Sequence, residues 1–269
     1  MKRLALAVLL LVPTASAFAA VGDWATGQKA EVRLLASGVG ADGKLAAGVE
    51  VALPEGWTTY WRNPGDAGIP PVFDFTASKN VGATEISYPV PTRQDDGADT
   101  VTNVYVGGVV FPVAIAIPDP SRPADVELTL HLGVCQQICV PEDVSLSLTV
   151  PAGEKDAAVE KQLAAARALV PGAAQPGKFA LDSVIQSGGT ERRPIFHFTG
   201  AVPDAENAVL FVEGPDDWAP YTPEYNPGDK PGWDVEFSRT GAKTPIAGAT
   251  FRVTIRSGSA AIEQTIGLK

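Results

Sequence analysis

The stretch Val126-Glu-Leu-Thr-Leu-His-Leu-Gly-Val-Cys135-Gln-Gln-Ile-Cys139-Val-Pro-Glu-Asp-Val144-Ser-Leu-Ser-Leu-Thr-Val150 decides the fold. Val126, Leu128, Leu130 and Leu132 alternate with polar residues, and so do Val144, Leu146, Leu148 and Val150. Successive strand side chains point to opposite faces, so each run is a half-buried β-strand. The connection between them carries the chain's two cysteines, four residues apart. A bridge closing about five residues is a weak staple, worth roughly 2 kcal/mol against about 4.7 for a loop of 100. Short rings are readily strained and reduced. Redox exchange and a structural disulfide therefore both stand as readings of Cys135 and Cys139.

Outward from this hairpin the pattern stays β. Ala30 to Ser37, Leu45 to Leu53, Val72 to Phe75, Ala83 to Tyr88 and Val109 to Ile117 read as strands, and Asn63 to Pro71 as a Gly/Pro-rich loop. Glu154 to Leu169 is the one helix, with Val159, Leu163, Ala166 and Val170 at helical spacing, ended by Pro171-Gly172. A linker runs to Gly177. Strands resume at Phe179 to Ile185, Ile195 to Thr199, Ala208 to Val212, Trp233 to Ser238, Thr250 to Ile255 and Ala260 to Ile266. The 27 glycines and 23 prolines favour short strands and turns.

The N-terminus has the form of a secretory signal. Met1-Lys2-Arg3 precedes an apolar run from Leu4 to Val12, with small residues before cleavage points after Ala17 or Ala19. That run is too short to span a bilayer, and no later one is long enough. An exported protein that is not membrane-embedded is expected, in a periplasm where disulfides form. A net charge of −10 argues against nucleic acid as a partner.

The remaining candidates are weaker. Glu142 and Asp143, near the cysteines, would oppose thiolate formation. His131 takes the outward parity of its strand, where a Cys-Cys-His copper or zinc site competes with a plain solvent-facing residue. His197 reads as packing. Asp95-Asp96 and Asp216-Asp217 read as solvated turns. Trp57, Tyr60 and Trp61, followed by Arg62, read as core or rim, or as a partner-facing surface. Nucleophile-elbow, zinc-protease and phosphate-loop motifs are all missing, so neither a metal nor a cofactor is expected.

Gly56-Trp-Thr-Thr-Tyr-Trp-Arg-Asn-Pro-Gly-Asp-Ala-Gly-Ile-Pro-Pro71, Tyr88-Pro-Val-Pro-Thr-Arg93, the strand around Val109 to Pro112, and Gly133-Val-Cys-Gln-Gln-Ile-Cys-Val-Pro141 together resemble the exported N-terminal region of DsbD-type thiol:disulfide interchange proteins, most closely the ScsB-like branch linked to copper tolerance. The resemblance covers about residues 24 to 150 well and the remainder more loosely. It implies an all-β fold of two immunoglobulin-like β-sandwich domains. The expected division is residues 1–19 signal peptide, 20–151 first sandwich with the cysteine pair, 152–177 helix and linker, and 178–269 second sandwich. It also implies that Cys135 and Cys139 are the catalytic redox couple, with Cys139 forming the mixed disulfide and Cys135 resolving it. Partners would be a thioredoxin-fold periplasmic protein and, because the sequence ends at Lys269 without a membrane or thioredoxin-like domain, a separate membrane electron donor. The alternatives are a two-domain binding module braced by a structural disulfide, and a Cu(I)-binding protein.

Overall fold

In the computed structural model the described residues are 21–40, 42–95, 97, 100–152 and 156–269. The expected signal peptide, residues 1–19, lies outside them, as do Asp96 and the first two residues of the expected helix. The fold is all-β, in two immunoglobulin-like domains.

Two sheets build the first domain. One has the order β1 (Ala25–Thr26), β2 (Glu31–Val39), β3 (Lys44–Ala52), β9 (Gly108–Ala116), β6 (Thr84–Ile86). The other has the order β11 (Cys139–Val150), β10 (Ala124–Cys135), β4 (Thr58–Gly65), β8 (Val101–Val106), β7 (Thr92–Asp95), with β5 (Val72–Asp74) also on β10. The alternating runs meet as read: Val126 lies opposite Leu148, Leu128 opposite Leu146, and Leu130 opposite Val144. Their side chains pack onto Leu34, Leu45, Val49, Phe111 and Ile115 of the facing sheet, which is the inward half of each period-2 pattern.

Strand β4 was not legible as a strand. It pairs with β10 only at Thr58 and Thr59, then leaves it, while β5 takes the same side of β10 from Thr129 to His131. The Gly/Pro-rich residues between are the excursion joining these two pairings. Gly65, at φ +87°, makes the exit turn; a Cβ there would collide with the Val101 carbonyl. Asp66 then fixes the loop, its N–H donating to Val101 O at 2.9 Å and its carboxylate accepting from Val101 N at 2.8 Å.

Helix α1 (Ala157–Arg167) begins at Asp156, whose carboxylate accepts from the N–H groups of Ala158 and Val159. Val159 and Leu163 pack on Leu35, on the outer face of the first sheet. Gly48 admits that contact, since a Cβ there would lie 2.6 Å from a Leu163 methyl.

The second domain stacks a sheet of order β12 (Gly172–Ala173), β20 (Ala260–Gly267), β19 (Thr250–Ser257), β15 (Val209–Glu213) on one of order β13 (Ala180–Gly189), β14 (Pro194–Ala201), β18 (Gly232–Ser238), β16 (Ala219–Pro220), with β17 (Glu224–Asn226) also on β18. Its core is aromatic: Phe196, Phe198, Trp218, Phe237 and Phe251 sit mainly edge-on or tilted, 5.1–6.2 Å between centroids. The seam between domains is also packed. Trp61 meets Phe211 edge-on at 5.4 Å. Arg62 donates to Glu213 at 2.7–3.1 Å and also bonds Glu263.

Candidate functional site

The hairpin β10–β11 runs in unbroken register to its tip, where Cys135 lies directly opposite Cys139. Only Gln136, Gln137 and Ile138 separate the strands. The two cysteines form a disulfide, with Cα atoms 4.1 Å apart. They are therefore strand-end residues rather than members of a longer connection.

Parity decides what surrounds them. Val134 and Leu132 point into the core, so Cys135 points to the outer face of its sheet. On β4, Trp61 points inward and Tyr60 outward. The Tyr60 hydroxyl thereby reaches both sulfurs, 2.7 Å from Cys135 Sγ and 3.1 Å from Cys139 Sγ. Thr58 Oγ1 donates to the Cys135 carbonyl at 3.3 Å and Thr59 Oγ1 to the Gly133 carbonyl at 2.9 Å, locking the strands in this register.

The Tyr60 ring is clasped on two sides. Gly68, at φ +131°, lies so close that a Cβ would enter the ring. On the other side Gly133 leaves room for Ile69: a Cβ there would stand 2.8 Å from Ile69 Cβ and 3.2 Å from the ring. The Gly133 N–H donates to the Ile69 carbonyl at 3.2 Å. The loop that leaves the sheet is thus pinned over the tyrosine. Burial raises the phenol's pKa, so the hydroxyl keeps its proton across the range in which thiols titrate.

The two sulfurs are not equivalent. Cys135 is 8% exposed and packs with Tyr60 and Val104, whereas Cys139 is exposed. Around them runs an apolar rim. Ile138 is 75% exposed at the tip, and Val106 is 58% exposed on the same strand-to-strand row, opposite Thr58, which is itself opposite Cys135.

The other candidates scatter. Glu142 turns to the core side of β11, where its carboxylate accepts from Lys29 N at 2.7 Å and Ala30 N at 3.1 Å. Asp143 stays on the outer face, 2.6 Å from His131 Nδ1. Among the described residues no group of three or more His, Cys, Asp or Glu side chains is placed to hold a metal ion. His197 is held between Asp234 and the Lys230 carbonyl, at 2.7 and 2.8 Å. Asp95 closes a turn onto Gly97 N, and Asp217 accepts from the N–H groups of Lys243 and Thr244, which lowers its pKa. The aromatic group divides: Tyr60 to the disulfide, Trp61 to the core, Arg62 to the domain seam, and Trp57 half-buried beneath Lys29 Nζ at 5.2 Å. Sequence reading missed the Tyr60–sulfur contact. No local signal marks it, because Thr58-Thr59-Tyr60-Trp61 shows no alternation of polar and apolar residues.

Residues 28–151 match the family model described as thiol:disulfide interchange protein DsbD, N-terminal. The crystal structure of the N-terminal periplasmic domain of ScsB from Proteus mirabilis matches with a TM-score of 0.72 at 22% identity, over 93% of this chain and 98% of that one. At that identity the likeness establishes the fold, in both domains. No curated protein matches the chain. The part of the chain that matches the DsbD N-terminal family of thiol:disulfide interchange proteins, residues 28–151, is thus the part that holds the disulfide and the tyrosine against it.

Proposed function

We propose that the protein exchanges disulfides with a thioredoxin-fold partner in the periplasm through Cys135 and Cys139, and that the intermediate is a mixed disulfide on Cys139. The observation that carries this is the unequal setting of the two sulfurs: one exposed, the other buried against a hydroxyl. A partner thiolate attacks Cys139 Sγ, the Cys135–Cys139 bond breaks, and the electron pair leaves on Cys135 as a thiolate. The Tyr60 O–H donates to that thiolate, and charge-assisted hydrogen bonds are the strong ones. A second partner thiolate then attacks its own mixed-disulfide sulfur, releasing Cys139. Two electrons and two protons have moved from partner dithiol to protein disulfide. The reverse path, in which the reduced protein reduces a partner, passes through the same intermediate. Ile138, Val106 and Ile69 supply an apolar landing surface around the exposed sulfur.

The test is trapping. The Cys135→Ser protein, mixed with oxidised thioredoxin-fold proteins, should accumulate a mixed disulfide on Cys139, visible on non-reducing gels. The Cys139→Ser protein should not. Adducts confined to Cys139→Ser, or none in either variant, would overturn the proposal.

A further inference from the structure

We propose that the groove between the two domains binds a single-chain amphiphilic carboxylate, with its apolar chain inside the groove and its carboxylate on Arg256. The groove encloses about 880 Å³, within the roughly 300–1,000 Å³ of small-molecule sites, which favour domain interfaces. One wall is the C-terminal end of α1, another the edge of the first domain at Val90, Val109 and Val110, and the third the β19–β20 hairpin of the second domain. None of these features belongs to the disulfide site, and the inference does not depend on disulfide exchange.

Charge selects the ligand. The chain carries 31 acidic residues and a net charge of −10, yet no Asp or Glu lines this groove, while Arg167 and Arg256 both do. Arg167 is already committed, 3.1 Å from Glu160. Among the described residues Arg256 has no carboxylate within ion-pair distance. Its charge is felt by its neighbour Arg93, a largely buried guanidinium whose pKa falls to about 10 through burial and the repulsion of Arg256. An anion beside Arg256 would relieve that repulsion. The C-terminus of α1 brings partial negative charge to the same groove. Its carbonyls are largely used, however: Leu169 O accepts from Val90 N, Arg167 O from Val170 N, and Ala166 O from Leu169 N.

Apolar surface selects the chain. Leu169 is 64% exposed at the groove's edge, a large aliphatic side chain that neither domain buries. A straight alkyl chain lying along the groove would cover it.

The experiment is calorimetric titration of the full protein with decanoate, decanol and acetate, each below its aggregation concentration. Decanoate should bind saturably at one site per chain, decanol at least tenfold more weakly, and acetate not measurably. Arg256→Gln should weaken decanoate at least tenfold and leave decanol unchanged. Ala261→Trp, whose side chain would fill the groove beside Arg256, should abolish both. Absence of saturable decanoate binding overturns the proposal. So does decanol binding as tightly as decanoate, or decanoate affinity that survives either replacement in protein with parental thermal stability. Should one replacement prevent folding, the other still decides the matter.

Discussion

Replacing Tyr60 by Phe removes one oxygen and leaves the ring in its clasp between Gly68 and Gly133. That oxygen is 2.7 Å from Cys135 Sγ. In the reduced protein it would donate to the Cys135 thiolate, and a hydrogen bond to a charged group contributes about 1.5–3 kcal/mol. A bond made to the charged form lowers a thiol's pKa. Its loss should therefore raise the Cys135 pKa by about 1–2 units, at 1.36 kcal/mol per unit. Attack on Cys139 expels Cys135 as a thiolate. With about half of the lost stabilisation expressed at the transition state, in line with thiol-exchange Brønsted coefficients of about 0.4–0.5, exchange should slow about 3- to 10-fold. The pKa is measured on the Cys139→Ser background, where Cys135 is the only thiol, from thiolate ultraviolet absorbance against pH with and without Tyr60→Phe. The rate is measured on the two-cysteine protein with reduced thioredoxin. An unchanged Cys135 pKa together with an unchanged rate would refute the assignment, because the hydroxyl would then touch the sulfur without bonding the thiolate.

Three further outcomes follow from the same geometry. Cys135→Ser with Cys139→Ser should cost no more than about 2 kcal/mol in urea unfolding, because the ring closed is so small, while exchange is abolished; a much larger loss would mark the disulfide as a staple. Gly68→Ala places a methyl against the Tyr60 ring at a φ that favours glycine, and should cost about 1–3 kcal/mol in thermal or denaturant unfolding; parental stability would show that the loop does not clasp the ring. Arg62→Met leaves Glu213 and Glu263 facing each other across the seam without their cation. Breaking such a partly buried pair costs up to about 3–5 kcal/mol, so the domains should unfold in separate transitions by calorimetry, and the parent in one.

What the sequence made legible follows from how local each signal is. Val126 to Leu132 and Val144 to Val150 are half-buried strands with one apolar face each, so alternation alone gave their pairing and their inner side. Helix α1 was readable because one stripe, Val159 and Leu163, meets the first sheet. Its first turn begins at Ala157 rather than at the expected Glu154, because Asp156 is the cap. Strand β4 was opaque for the opposite reason. Both its faces are occupied, Tyr60 against sulfur and Trp61 in the core, so Thr58 to Arg62 shows no apolar alternation and reads as an aromatic cluster. The cysteine pair was visible because its members are four residues apart. The hydroxyl beside it lies 75 residues away from Cys135 in sequence, and no local pattern encodes that approach. Glu142 misled through the same limit: nearness in sequence to Cys139 says nothing about face, and an odd separation on a strand sends it to the other side.

A disulfide at this position adds little that the hairpin lacks. Ladder pairs run continuously from Ala124 opposite Val150 to Cys135 opposite Cys139, so register is set by twelve residue pairs before any sulfur bond is formed. The inward leucines and valines fix it further, because a slip of one residue would turn them all to solvent. Meanwhile the surrounding structure invests in the sulfurs. Two glycines give up side chains so that a loop can press on Tyr60, a phenol is buried to bring its proton to the buried sulfur, and the other sulfur is left in the open beside Ile138. A brace needs none of these, whereas a leaving thiolate needs a donor and an attacked sulfur needs access. Strand β4 supplies the donor, Tyr60, and through Trp61 and Arg62 grips Phe211, Glu213 and Glu263 of the second domain. The second domain is therefore coupled to the strand that positions the hydroxyl, and a partner leaning on either domain acts on a single framework around the sulfur pair.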